Sequence, residues 1–438
     1  MDALALIGGT RAEEIGASVE AAIRGGRLRP GQPLPPVRRL AEHLAISPST
    51  VAAAYRELRA RGLVTAAGRN GTRVGPRPPL AAPFADALPQ GVRDLASGNP
   101  DPALLPALVT QVSSERRLYG DAANFEPLLE LARSSFNADG IAAGQVAVVG
   151  GALDGIERVL GAHLRAGDRV AVEDPCYAAT RHLLLALGLE PVPVAIDDAG
   201  MLPEALAGAL RGRLEALVVV PRAQNPTGAA LDSGRAEALA TLLRTRPEVL
   251  VIEDDHAGPI AGVPLHSLTQ RAGTDRWAYV RSVSKWLGPD LRVAVLAGDA
   301  VTVSRVDGRQ RLGTGWVSHL LQRMVVELWS DPEVLRLVKH AAEVYRRRRE
   351  GLIATLAAHG IRARGRSGLN VWIEVDDEQA ALARLLEAGF AAAPGERFRL
   401  HAPPGIRIGS AVLREGEAEL IAAALTEERV VTDRARSG

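Results

Sequence analysis

The chain contains one cysteine, Cys176, and two lysines, Lys285 and Lys339. A single thiol cannot close an internal disulfide, nor can it supply the clustered thiolates of a structural zinc or iron–sulfur site. Long apolar runs are also missing. Runs such as 217–220 and 146–149 fall far short of the ~18 residues that a membrane-spanning helix needs. The first residues lack a basic region followed by an apolar stretch and a small-residue cleavage site, so secretion is not signalled and a cytoplasmic protein is expected. What remains is ordinary for a globular protein: 438 residues, 47% hydrophobic and 24% charged, enough for two or three domains with a sizeable core. The scarcity of lysine is the sharper fact, since fifty of the 52 basic residues are arginine. Arginine serves wherever only charge is needed, but a deprotonatable primary amine must be lysine.

Charge is unevenly placed. Residues 1–75 hold eleven arginines against six acids, while the whole chain is +1. Such polarity points to an anionic partner, nucleic acid foremost, at the N-terminal end. There, Ile15, Val19, Ala22 and Ile23 recur at helical spacing until Gly25-Gly26 stops the pattern. After the turn "RPGQPLPP", Val37, Leu40, Ala41 and Leu44 mark a short second helix. Ser47-Pro48 opens a third, with Val51, Tyr55 and Leu58 on one face. Two short helices joined by a tight turn fit a helix-turn-helix, in which Ser49 and Thr50 would reach base edges and Arg38, Arg39 and Arg56 would hold phosphates. Strand-like segments either side of Gly68-Arg69-Asn70-Gly71 predict a hairpin with a basic tip, a wing. On charge alone, a small dimerisation domain with a solvated arginine face reads equally well. The order of features favours the first reading: "GRLRPGQPLPPVRRLAEHLAISPSTVAAAYRELRARGLV" followed by "GRNGTRV" resembles the winged helix-turn-helix of GntR-type regulators. That resemblance implies DNA contacts at Arg38, Arg39, Ser49, Thr50, Arg56 and the wing residues Arg69 and Arg73.

Proline, alanine and glycine dominate 76–92, which reads as a semi-rigid linker. From residue 93 to 438, short β-rich runs alternate with amphipathic helices, the pattern of an α/β domain with a largely parallel sheet. A smaller C-terminal α+β lobe is expected around "NVWIEV" and "GIRIGSA".

Four separated pieces carry chemistry. In "RSVSKWLGPDLR", Lys285 follows a strand, between hydroxyl residues and seven positions before Arg292. A lysine that condenses with a phosphorylated aldehyde needs hydroxyls and a cation for the phosphate, and Ser282, Ser284 and Arg292 are the right types. Lys339 sits in the helical "VLRLVKHAAE" without such neighbours and reads as a surface lysine. In "VIEDDHAG", a carboxylate at a strand end can pair with a protonated pyridine nitrogen, although acids there also cap helices or bind metals. In "QNPTGAAL", Asn225 presents an amide from a turn, and an ordinary Asn-Pro turn is the plain alternative. In "VVGGALDGIERVL", a strand runs through Gly150-Gly151-Ala152 into a helix whose first N–H groups are free for phosphate. Neither G-x-G-x-x-G nor a Walker loop occurs, which disfavours dinucleotide and ATP sites.

Together and in this order, the pieces resemble the fold-type I pyridoxal-phosphate aminotransferase domain, from "DLASGNPDPALLP" to "GIRIGSAVL". The resemblance implies pyridoxal 5'-phosphate as cofactor, Lys285 as its aldimine lysine and Asp254 on the pyridine nitrogen. Asn225 and His256 would serve the ring oxygen, Tyr177 would stack on the ring, and Gly151, Ala152, Ser282, Ser284 and Arg292 would take the phosphate. Arg407 would hold an effector carboxylate, and Tyr119 would reach the phosphate of a neighbouring subunit, implying a homodimer. A GntR-type module ahead of such a domain resembles the MocR regulators, with "PRAQNPTG" and His256 similar to the PtsJ-like branch associated with vitamin B6 salvage. This implies a DNA-binding regulator that senses pyridoxal phosphate or its adduct with an amino acid or amine. Two departures stand out. Relatives commonly have tyrosine where His256 stands, and the segment after "YGD" lacks the usual glycine and arginine. A working aminotransferase with an accessory DNA-binding module is the competing reading, and a sensor of pyridoxal phosphate without an amino-acid partner a third.

Overall fold

The computed structural model describes residues 3–60, 63–66, 71–75, 88–108, 116 and 118–426. In the N-terminal module, α1 spans Ala12–Arg24, α2 Val37–Leu44 and α3 Pro48–Ala60, followed by β1 Val64–Ala66 and β2 Thr72–Val74. The helical periodicity converges as expected: Ile15 and Val19 of α1, Leu40 of α2, and Val51, Tyr55 and Leu58 of α3 form one buried cluster. At about 1.5–3 kcal/mol for each large apolar side chain fully buried, this cluster is the main stabilisation of a module this small. The Glu14 carboxylate accepts from the backbone N–H and hydroxyl of Thr10 (2.8 and 3.0 Å), securing the start of α1. Ala45 in the left-handed region ends α2, and Ser47 Oγ accepts from Ser49 N at the start of α3. β1 and β2 pair antiparallel. The "RPGQPLPP" turn joins them, because Leu34 N donates to Thr72 O (2.8 Å) and Gly31 N to Val74 O (2.9 Å). The Tyr55 hydroxyl donates to Pro35 O (2.9 Å) and fastens the same turn to α3.

The large domain begins with β3 (Arg93–Asp94), α4 (Glu126–Ala138), β4 (Gln145–Val149) and α5 (Ala152–His163). There follow β5 (Arg169–Asp174), β6 (Glu190–Asp197), β7 (Gly200–Met201), β8 (Ala216–Val219), β9 (Leu250–Asp255), β10 (Trp277–Ser282) and β11 (Ala294–Gly298). These strands, β3 aside, form one sheet in the order β4-β11-β10-β9-β8-β5-β6-β7. β9 runs parallel to β8 and β10, but β11 is antiparallel to both its neighbours, β10 and β4. The expectation of a largely parallel sheet is corrected at this edge. A parallel partner needs a long crossover, whereas the connection 283–293 holds only a short 3-10 turn, and that connection carries Lys285. β6 was not anticipated either: Pro191 and Pro193 argue against an interior strand. Near the end of the sheet, with β7 beyond it, the strand tolerates them.

The C-terminal lobe has a four-stranded sheet, β12 (Ala363–Arg364), β13 (Asn370–Glu374), β16 (Gly405–Gly409) and β15 (Ala393–Pro394), in that order. Every printed pairing within it is antiparallel. β14 (Phe390–Ala391) pairs in parallel with β3, so the chain just beyond the linker is built into this lobe. The long helix Pro332–Ala358 contributes Leu352 and Leu356 to the lobe's core and Val338 and Tyr345 to the core of the large lobe.

Candidate functional site

The site gathers at the ends of the central strands. Glu253, Asp254 and Asp255 are consecutive on β9 and all buried, so alternation sends the middle one to the opposite face from its neighbours. Glu253 accepts from Ser267 Oγ (2.7 Å), Leu268 N (2.8 Å) and both N and Oγ1 of Thr269. Asp255 is clamped by Arg222 Nε and Nη2 (both 2.9 Å), Arg281 Nε (2.9 Å) and the Tyr279 hydroxyl (2.6 Å). The two guanidinium groups hold its carboxyl well below the usual range despite burial. Asp254 Oδ1, by contrast, is buried with no hydrogen-bond partner among the described residues. Burial and the neighbouring Asp255 push its pKa up to about 7. A buried carboxylate in this condition fits a protonated nitrogen donor, since leaving it unmatched is costly.

Lys285 follows β10. Its Nζ donates to Gly98 O (2.9 Å), and burial together with the nearby Arg407 guanidinium lowers its pKa to about 8. Gly98 has φ +64°, and a Cβ there would stand 3.2 Å from Arg407 Nη2, so a side chain at this position would be strained by its backbone and would press on the guanidinium. Arg407, buried on β16, donates to Asn225 Oδ1 (2.9 Å) and to Ala96 O, and its guanidinium lies 4.9 Å from the Phe398 ring centroid. The first of these bonds fixes the Asn225 amide with its oxygen toward Arg407, leaving the NH2 group to donate elsewhere. Arg407 Nε is buried and unpartnered among the described residues.

At the start of α5, Gly151 has φ +115° and a Cβ would meet Arg292 Nη2 at 2.7 Å. Arg292 reaches this point from the left-handed region and donates to Gly150 O (3.2 Å). Ser282 Oγ donates to Ser284 Oγ (3.1 Å) and accepts from Ser284 N. A helix N-terminus, two hydroxyls and a guanidinium suit a phosphate group.

His256 follows Asp255 at the end of β9. Its Nε2 donates to Ala223 O (2.9 Å), which fixes the proton on that nitrogen, and burial beside Lys285 lowers its pKa to about 4. Tyr177 is 40% exposed, and Tyr119 is 95% exposed, packed edge-on against Trp316. Residues that sequence reasoning missed are Gly98, Ala96, Phe398 and the buried pair Glu173–Gln224, in which Gln224 Nε2 donates to Glu173 Oε2 (3.1 Å). Burial raises Glu173 to about 8. The "SGNP" run was the available signal for Gly98; Glu173 and Gln224 lie 51 residues apart and had none.

In the N-terminal module, Arg38, Arg39, Ser49 and Arg56 are exposed and Thr50 is partly exposed. Arg73 spends Nη1 on Gly31 O (2.8 Å), so part of its fork braces the wing. Arg69 lies outside the described residues.

Residues 11–74 match the model for bacterial regulatory proteins of the gntR family, and 90–425 that for aminotransferases of class I and II. The chain is 39% identical over 424 residues to the vitamin B6 salvage pathway transcriptional repressor PtsJ of Salmonella typhimurium, covering 95% of this chain and 98% of that one. The chain is a MocR-type transcriptional regulator. Another relative of the same two-part kind is the HTH-type transcriptional regulator TauR of Rhodobacter capsulatus, 29% identical, covering 86% of this chain and 87% of that one. Among solved structures, a kynurenine aminotransferase of Pyrococcus horikoshii matches with a TM-score of 0.69 at 20% identity, covering 76% of this chain and 91% of that one, which establishes the fold. Pyridoxal 5'-phosphate is the cofactor of this class, and this regulator has the residues for it: an amine at Lys285, an unmatched acid at Asp254, and a phosphate cradle between Gly151 and Arg292. When bound, that cofactor supplies an electrophilic aldehyde and an electron-withdrawing ring.

Proposed function

We propose that this MocR-type regulator controls vitamin B6 metabolism by reading pyridoxal phosphate, or its adduct with an amino compound, at Lys285. The observation that carries this reading is the end-to-end similarity to PtsJ, with the same two modules in one chain. In it, residues 1–75 bind the operator, 76–92 connect, and 93–438 bind the cofactor. Arg38, Arg39, Arg56, Arg69 and Arg73 meet phosphates, while Ser49 and Thr50 face base edges. Lys285 binds the aldehyde, Asp254 holds the ring nitrogen protonated and Asn225 donates to the ring oxygen. Tyr177 lies against the ring, and Gly151, Ala152, Ser282, Ser284 and Arg292 hold the phosphate. His256 acts one step back, by fixing the Ala223 carbonyl. Arg407 selects an effector carboxylate. The protein works in the cytoplasm as a homodimer, a reading supported by the exposure of the large apolar side chains Leu118 (71%), Tyr119 (95%) and Leu312 (91%). Removing residues 1–75 tests the module assignment: specific operator binding is then lost, and in the intact protein it weakens steeply with salt. Operator affinity that survives the truncation would refute it.

The second reading, a working transaminase, draws on the same Lys285 amine with its lowered pKa and on the buried Arg407. Keto acid formed from an amino acid in repeated turnovers would establish it.

A further inference from the structure

The phosphate cradle is built on a loop that two side chains hold at once. Gly150 N donates to Asp154 Oδ2 (2.8 Å), and Gly150 O accepts from Arg292 Nη2 (3.2 Å). Both polar groups of the Gly150 backbone are therefore committed, one to a carboxylate and one to a guanidinium. The next residue, Gly151, sits at φ +115°, and glycine by itself has little conformational preference. What fixes Gly150 thus decides where the N–H groups of Gly151 and Ala152 point. Those groups open α5 and have no partner one turn back within the helix.

An acid is an unexpected neighbour for a phosphate, because two anions repel. The charge of Asp154 is balanced within its own helix. Arg158 Nε donates to both carboxylate oxygens (3.0 and 2.9 Å), and Arg158 Nη2 lies 2.8 Å from Oδ1. The two residues are one helical turn apart and partly buried, which orders the pair better than one that faces solvent. An acid in the first turn caps a helix without help. The arginine that cancels its charge is what an adjoining anion requires.

We propose that Asp154, braced by Arg158, is a positioning residue for the cofactor phosphate. It holds the loop at Gly150 so that the N–H groups of Gly151 and Ala152 face the phosphate, with no carboxylate charge left over to repel it. The inference rests on the assignment of the phosphate to Gly151 and Arg292.

The test measures the affinity of the full-length protein for pyridoxal 5'-phosphate and for 5'-deoxypyridoxal, the same aldehyde without the phosphate, by the visible absorption that each gives on Lys285. Asp154→Ala weakens pyridoxal phosphate by about tenfold or more, the magnitude of one hydrogen bond to a charged group, and changes 5'-deoxypyridoxal by less than about twofold. Asp154→Asn keeps an acceptor for Gly150 N and holds pyridoxal phosphate close to the wild-type affinity. Arg158→Ala leaves the Asp154 charge unbalanced and weakens pyridoxal phosphate selectively, and Asp154→Asn in that background restores it. Loss of both aldehydes alike in Asp154→Ala means that the acid only caps the helix, and overturns the proposal. Unchanged pyridoxal phosphate affinity in Asp154→Ala overturns it too, as does equal loss in Asp154→Ala and Asp154→Asn. Arg292→Ala separates this proposal from the assignment beneath it. A preference for the phosphorylated aldehyde that survives Arg292→Ala refutes the cradle itself, whereas a preference lost there and kept in Asp154→Ala refutes only the role of Asp154.

Discussion

In the N-terminal module Arg38, Arg39 and Arg56 stand exposed, whereas in the large domain Arg222 and Arg281 are 6% and 2% exposed and share one buried carboxylate, Asp255. One residue type thus serves two ends. A guanidinium in water keeps its five donors free for phosphate, and its loss costs the fold little. A buried one has already committed its donors, and its removal strands an opposite charge in a poor dielectric. The exposed Arg38, Arg39 and Arg56 are available for binding, while the buried Arg222–Asp255–Arg281 group is internal scaffolding beside Asp254 and Lys285. Net charge alone does not reveal this division.

The contrast is broken most severely at Asp255. Asp255→Ala leaves Arg222 and Arg281 to share Asp139 as their remaining acidic partner among the described residues, and a loss of about 3–5 kcal/mol is expected in urea unfolding of the large domain. Arg38→Ala changes the same measurement by no more than about 0.5 kcal/mol. Similar values for the two would contradict the division. Next in size is Lys285→Ala, which removes the visible absorption of lysine-bound cofactor while the far-ultraviolet circular dichroism stays that of the wild type. Retained absorption would mean that another amine, of which Lys339 is the sole lysine candidate, carries the cofactor.

A smaller effect is expected for the exposed arginines. Arg38→Ala and Arg39→Ala each weaken binding about equally across operator sequences and reduce the slope of log affinity against log salt by about 1. Thr50→Ala, aimed at base edges, changes sequence preference with little change in slope. The smallest effect concerns pH. The amine of Lys285 reacts when neutral, so with its pKa lowered from 10.5 to about 8, cofactor incorporation rises as pH rises through about 8. An ordinary lysine would respond some two units higher. Arg407→Leu removes a neighbouring cation and moves that midpoint upward; a midpoint left in place would show that burial alone sets it.

Lys285 was legible because lysine is so rare here that each one had to be accounted for, and "RSVSKWLGPDLR" set hydroxyls and Arg292 around it. Asp254 was legible only through the family resemblance. Its distinction from Asp255 lies in strand alternation plus the arginines that reach Asp255 from neighbouring parts of the sheet, Arg281 on β10 and Arg222 just after β8; both are remote in sequence, and no local pattern records them. The antiparallel β11 escaped because apolar runs report burial and not direction. β6 escaped because it carries Pro191 and Pro193, residues disfavoured inside a sheet. His256 gives its Nε2 proton to Ala223 O, a carbonyl 33 residues away in sequence, a partner that no local pattern records. Periodicity predicted the helices of the N-terminal module well, since each has one apolar face turned to a single small core.

The most direct test of the regulatory reading is operator affinity measured on DNA upstream of the protein's own gene, with and without pyridoxal phosphate, for wild type and Lys285→Ala. The account predicts that the cofactor shifts affinity or footprint in the wild type and leaves the variant unchanged, because a ligand moves an equilibrium only by binding its two states differently. Equal operator binding with and without cofactor in the wild type would contradict it.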